Sequence, residues 1–278
     1  MVTSWESSIE FNLVVPRHRD REQLRRTFGS VAEQYDRARP GYPPEIFDDL
    51  AELAGLCEGS RVVEVGPGTG KATVELVRRG WDVTGVELSA DLAEVARRNA
   101  PGAEIVVREF ETWQPEPAGF DAIVALAAYH WIAPEHRYAK PAGLLKPGGA
   151  LAVVHGWQVL PEDGDPVWAE LQEDYDAVVP HPDNVPPPRP EAITSEWADE
   201  FRESGVFASV EERRHLQTLT YTADEYVDVL GTFSENLSLP AAQRDELFDR
   251  IHARISARPG GVATKHFLLL LTVGRLAS

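Results

Sequence analysis

The sequence predicts an α/β fold, a mostly parallel sheet with helices on both of its faces. Short apolar strands alternate with amphipathic helices from about residue 60, and the strands are continuously apolar rather than alternating. Glycine-rich and proline-containing turns separate the segments.

The elements follow in order. Residues 20–37 carry Leu24, Phe28, Val31 and Tyr35 at helical spacing. ARPGYPPE then breaks the helix, and Pro44 suits the first turn of the next one, about 44–54. RVVEV is the first strand, KATVELVRRG a helix and WDVTGVEL the second strand. SADLAEVARRNA is a helix with Ser89 at its N-cap. AEIVVRE, FDAIVALA and ALAVVHGW are the third to fifth strands, with a helical stretch at 134–145. After Trp157 the regularity lapses: residues 158–194 include VPHPDNVPPPRP and read as a proline-rich insertion, either a surface loop or a lid. A helix at TSEWADEFRESG, capped by Thr194 or Ser195, leads to the strand FASVEERRHLQTLTY. Two helical stretches at 222–258 precede a last strand, VATKHFLLLLTVGRL.

Composition narrows the partners. At 278 residues with 43% hydrophobic and 26% charged, the chain supports one α/β core with an added cap. A formal net charge of −18 disfavours nucleic acid, whose binders need basic patches. Cys57 is the single cysteine, so no intrachain disulfide can form, and the histidines show no metal-binding spacing, so no metal is expected. The N-terminal residues lack a secretion signal and HFLLLLTVGRL is too short to span a bilayer, so no membrane association and a cytoplasmic location are expected.

The chemistry concentrates in Glu64-Val65-Gly66-Pro67-Gly68-Thr69-Gly70, three alternate glycines between a strand and a helix. Gly66 permits the tight turn, while Gly68 and Gly70 would let backbone approach a ligand. A dinucleotide fingerprint would place its third glycine at position 71, where Lys71 stands. Glu64 ends the first strand, where a carboxylate can meet a cationic amino group. Glu87 ends the second, where an acid can accept from both hydroxyls of a ribose.

Together with VTGVELS, the VREFETW–FDAIVALAAYHW block and LLKPGGALAVVH, this segment resembles the successive motifs of class I S-adenosylmethionine (SAM)-dependent methyltransferases. FGSVAEQYDRARPGYP is similar to the N-terminal segment of the trans-aconitate methyltransferase-like subgroup. The resemblance spans about residues 28–157 and implies a Rossmann-like seven-stranded sheet of order 3-2-1-4-5-7-6, its last strand antiparallel, under a helical lid. The division implied is an N-terminal helical lid at 1–55, a SAM-binding core at 56–157, the insertion at 158–194 and a C-terminal part at 195–278 with a cap at about 222–258.

It also implies SAM as cofactor, with S-adenosylhomocysteine (SAH) as product, and methylation of a small-molecule acceptor, with carboxylate or hydroxyl oxygen preferred. A SAM-binding protein without methyl transfer stays open, as do monomer and homodimer. Carried onto this chain, the cofactor set is Tyr35, Arg37, Glu64, Gly66, Pro67, Gly68, Gly70, Glu87, Leu88, Glu109, Phe110 and Ala127. Trp113 departs from many relatives. His130 is the candidate general base, with a packing role against the cofactor as its alternative. Tyr42, Tyr129, Trp131, His155 and Trp157 are candidate acceptor contacts.

Overall fold

The structure, a computed structural model, describes residues 32–180 and 185–278. Seven strands form one sheet in the order β3-β2-β1-β4-β5-β7-β6. They are β1 (Arg61–Val65), β2 (Asp82–Glu87), β3 (Glu104–Val107), β4 (Phe120–Leu126), β5 (Leu145–Val159), β6 (Ser209–Thr222) and β7 (Val262–Arg275). The first five pair in parallel, while β7 runs antiparallel to both β5 and β6. The expected strand order and orientation are therefore observed. Strand order reverses between β1 and β4, and open α/β sheets bind ligands outside the carboxyl ends of strands at such a reversal.

Alternation along the strands builds two cores. After α1 (Ala32–Ala38), the helices α2 (Pro44–Ala54) and α3 (Lys71–Arg78) cover a face of the sheet on which Val62, Val83, Val124 and Val154 pack. Ile46, Phe47, Leu50 and Leu53 place one face of α2 in this core, each burial contributing about 1.5–3 kcal/mol. Val63, Val65, Ile123, Leu151 and Val153 face the other core. There they meet Trp197 and Phe201 of a later helix. Ser89 caps α4 (Ala90–Asn99), its hydroxyl accepting from Leu92 N at 3.3 Å.

The helices downstream are α5 (Ala139–Leu144), α6 (Val167–Val178), α7 (Glu196–Glu203), α8 (Ala223–Leu230), α9 (Ser234–Ser238) and α10 (Ala241–Ser256). Ser195, rather than Thr194, caps α7, accepting from Ala198 N at 3.1 Å. The 158–194 stretch is more ordered than its prolines suggest. It holds the end of β5 and all of α6, whose Val167, Trp168, Leu171 and Val178 join Tyr226, Leu230, Leu247 and Ile251 in a third core. The two helical stretches expected at 222–258 are three helices, because Pro240 ends α9 and starts α10. Of the helix expected over 20–37, the part before Ala32 lies outside the described residues.

α1 lies between the sheet's N-terminal half and the α8 cap. Asn99 Nδ2 donates to Asp36 Oδ1 at 3.0 Å on the α4 side. On the cap side Gln34 Nε2 donates to Asp228 O at 3.2 Å, and Arg39 Nε to Thr232 Oγ1 at 2.8 Å.

Candidate active site

Two cavities adjoin at the carboxyl ends of β1, β2, β4 and β5 and share Tyr35, Gly66, Gly68 and Ala127 in their walls. The first, about 110 Å³, lies on the β2 side and includes Glu87, Leu88, Phe110 and Trp131. The second, about 170 Å³, lies toward β5 and β7 and includes Tyr42, Glu64, His130, His155 and Phe267.

The glycine turn between β1 and α3 is fixed by Gly66 N donating to Val86 O at 3.0 Å and Gly70 N to Pro67 O at 2.9 Å. A Cβ on Gly68 would meet no atom within 4 Å and would project into open space where both cavities meet. Gly68 is therefore a cradle position, its φ of 58° adding a second reason for glycine. Gly70 behaves otherwise: a Cβ there would lie 3.1 Å from Ala96 Cα in α4, and the residue lines neither cavity. Its part is close helix packing, not the ligand approach expected of it. Pro67 lines the second cavity.

Glu87 is buried, and its carboxylate bridges the site's two turns. One oxygen accepts from Gly68 N at 2.9 Å and the other from Ser89 N at 2.8 Å. Glu64, also buried, accepts from Thr73 Oγ1 at 2.6 Å. Burial, opposed by that hydrogen bond and aided by the nearby Glu87 charge, pushes its carboxyl up to about 7. A desolvated acid in a cavity wall is suited to a cationic guest. Opposite it, Ala127 sits at φ 54°, a left-handed conformation costing about 1–2 kcal/mol for a residue with a Cβ. Its N–H donates to Val154 O at 2.8 Å.

Tyr35, Leu88 and Phe110 line the first cavity, and Tyr42 and His155 the second. Trp131 lines the first cavity, not the second, so it stands on the Leu88 and Phe110 side. His130 lines the second. Five expected residues line neither. Arg37 is exposed, and Arg39 takes its place in the wall, because Tyr35 and Arg39 share a helix face at i,i+4. Glu109 is exposed beside the buried Phe110, and Arg108 lines the cavity instead. Tyr129 is buried in the core, packed edge-on to Trp197 at 5.2 Å, with its hydroxyl donating to Arg137 O. Trp157 packs with Val159, Leu268 and Leu270. Trp113 lies against Phe120, ring centroids 6.1 Å apart. Gln217 and Lys71 also line the second cavity; β6 brings Gln217 in from far along the chain, which no local motif signals. Among the described residues there is no group of three or more His, Cys, Asp or Glu that could hold a metal ion, and no helix is long and apolar enough to cross a membrane.

A methyltransferase-domain family model matches residues 62–149, the segment from β1 into β5 that builds most of these walls. Residues 62–149 thus match a methyltransferase domain. It is similar to an uncharacterised methyltransferase of Mycobacterium tuberculosis, 28% identical over 251 residues, 86% of this chain and 89% of the relative. It also resembles trans-aconitate 2-methyltransferase of Rhodopseudomonas palustris, 38% identical over 132 residues, 44% of this chain and 48% of that protein. Among solved structures, one described as a type II methyltransferase from Anaeromyxobacter dehalogenans shares the fold at TM-score 0.62 and 20% identity, covering 86% of this chain and 99% of the other. SAM is the cofactor of this family of methyltransferase domains.

Proposed function

We propose that this chain is an enzyme that methylates a small-molecule acceptor, holding SAM across the two cavities. The observation that carries the reading is Glu87, tied to Gly68 on one side and Ser89 on the other, beside a glycine cradle that a Cβ would fill. In this reading Glu87 takes the ribose hydroxyls, Leu88, Phe110 and Trp131 sandwich the adenine, and Glu64 with the Ala127 carbonyl meets the methionyl ammonium. The described part of the N-terminal segment, from Ala32 to Gly55, and the 222–258 helices close the site from above. Stretch 158–194 contributes α6 to that cap rather than a separate lid.

Bound SAM supplies a methyl group on a sulfonium, ready for in-line displacement by an acceptor atom. The protein's part is alignment and exclusion of water. The apolar surfaces of Leu126, Val154, Phe267 and Leu269 keep the acceptor side dry. An oxygen acceptor, hydroxyl or carboxylate, is the reading's preference, as is a monomer or homodimer that needs no nucleic acid. Titration of the protein with SAH by calorimetry tests the whole reading; a folded protein that binds neither SAH nor SAM contradicts it.

Glu64 makes cofactor affinity depend on pH. An ionised Glu64 pairs with the ammonium, whereas a protonated one does not. With its carboxyl at about 7, affinity for SAH rises between pH 5.5 and 7.5, approaching tenfold per unit at the acid end. The same raised value removes stability from the free protein as pH climbs from the ordinary carboxylate range through about 7. Calorimetry across that range in wild type and Glu64→Gln checks it: the variant's affinity is weaker and flat.

His130 separates into two roles by one variant. If it is the general base, His130→Ala lowers kcat by about 10²–10⁴-fold while leaving SAH affinity near wild type. Single-turnover methyl transfer on an identified acceptor decides, and an unchanged rate assigns His130 to the wall.

A further inference from the structure

Between the two cavities runs a row of four aromatic rings. His130 lies 4.8 Å from Trp131 and meets His155 edge-on at 5.7 Å, and His155 in turn lies 4.3 Å from Trp157. Trp131 lines the first cavity, and His130 and His155 line the second. His155 is 5% exposed, and its Nε2 has no hydrogen-bond partner among the described residues. A buried ring nitrogen left in this state is uncommon in native structures and calls for an explanation, a ligand being one.

Four other polar side chains around this cavity are engaged. Arg39 donates to Thr232 Oγ1 at 2.8 Å and lies over the Phe233 ring at 4.1 Å. Lys71 is 3.9 Å from Asp36, and Gln217 Nε2 donates to Gly41 O at 3.0 Å. Glu64 is bonded to Thr73. Tyr35, Tyr42, Thr69 and His130 also stand in the wall, Thr69 on the glycine turn, and the apolar part is Leu126, Val154, Phe267 and Leu269.

We infer that His155 is a specificity-determining residue of the acceptor site, and that it selects a neutral hydroxyl carried on a small apolar body rather than a carboxylate. This deepens the proposed function and rests on it. Burial alone holds the imidazole neutral, its pKa pushed down to about 4. It therefore offers no counter-charge of its own, and the cations of the same wall are held elsewhere, Lys71 beside Asp36 and Arg39 on Thr232, so a carboxylate set against His155 would be desolvated at greater cost than a hydroxyl. A hydroxyl both donates and accepts, so it satisfies Nε2 in either tautomer.

Three probes share one ring and differ only in the group attached: phenol, benzoate and toluene. Each is titrated into the full chain, ¹⁵N-labelled at histidine and saturated with SAH, while the His155 Nε2 resonance is followed. Phenol should bind about tenfold tighter than toluene, the yield of one well-made hydrogen bond, and should alone move the Nε2 resonance. His155→Phe should abolish the preference for phenol over toluene with SAH affinity kept within about twofold. If that variant fails to fold, His155→Asn should keep part of the preference. Benzoate binding as tightly as phenol, or no preference for phenol over toluene, overturns the inference. If the wild-type protein does not bind SAH at all, the underlying reading fails first and this inference with it.

Discussion

Glu87→Ala is expected to lower SAH affinity by at least about 100-fold. The carboxylate holds two backbone donors in the free protein, at 2.9 Å from Gly68 and 2.8 Å from Ser89. Hydrogen bonds to a charged group are each worth about 1.5–3 kcal/mol, so removing the carboxylate both loosens the cradle and deletes the ribose contacts. Glu87→Gln is not a conservative rescue. Its amide would turn a donor toward one of two N–H groups, so it should recover little. Calorimetry with SAH reads the loss directly. Thermal unfolding without ligand should show a smaller effect, because Glu87 lies at the ends of elements whose cores are intact in the variant.

Gly68→Leu should abolish detectable cofactor binding while leaving a folded protein. At this position the backbone penalty for φ 58° is about 1–2 kcal/mol, and no atom stands within 4 Å of the new Cβ. The leucine would instead occupy the volume where the two cavities meet. Gly70→Leu has the opposite signature, since its Cβ would strike the backbone of α4 at Ala96, 3.1 Å away. That substitution should cost stability first and binding only as a consequence. Circular dichroism melts and SAH titration, run on both variants, separate a ligand cradle from a packing contact. Equal behaviour of the two would contradict the assignment.

The strands and the turn were legible because each is encoded locally. Continuous apolar runs ending in glycines state a buried parallel strand and its turn, and Ser89 states a helix start. The fold's strand order came from the likeness of successive motifs rather than from periodicity, which says nothing about lateral order. Cavity-lining positions were legible where backbone position places them: Glu64, Gly66, Gly68, Glu87 and Leu88 lie at strand ends or in the turn, and Phe110 follows β3. Direction of a side chain was harder. Arg37 and Arg39 differ only in helix face, and the i,i+4 relation to Tyr35 was the available signal for Arg39. Tyr129 and Trp157 turned inward because the post-β4 loop and the end of β5 each have apolar ground to cover, supplied by Trp197, Phe201 and Leu268 from distant segments. The α6 helix was masked by the prolines that follow it, although Trp168, Leu171 and Val178 keep helical spacing.

The central claim is geometric: a carboxylate-locked glycine elbow after β1 grips a nucleoside, and the neighbouring acid receives the charged tail. A crystal structure of the protein with SAH tests it most directly. The account predicts both ribose hydroxyls on Glu87, the adenine between Leu88, Phe110 and Trp131, and the tail amine beside Glu64. An ordered SAH seated elsewhere, or in the same cavities with Glu87 turned away from the ribose, would contradict it.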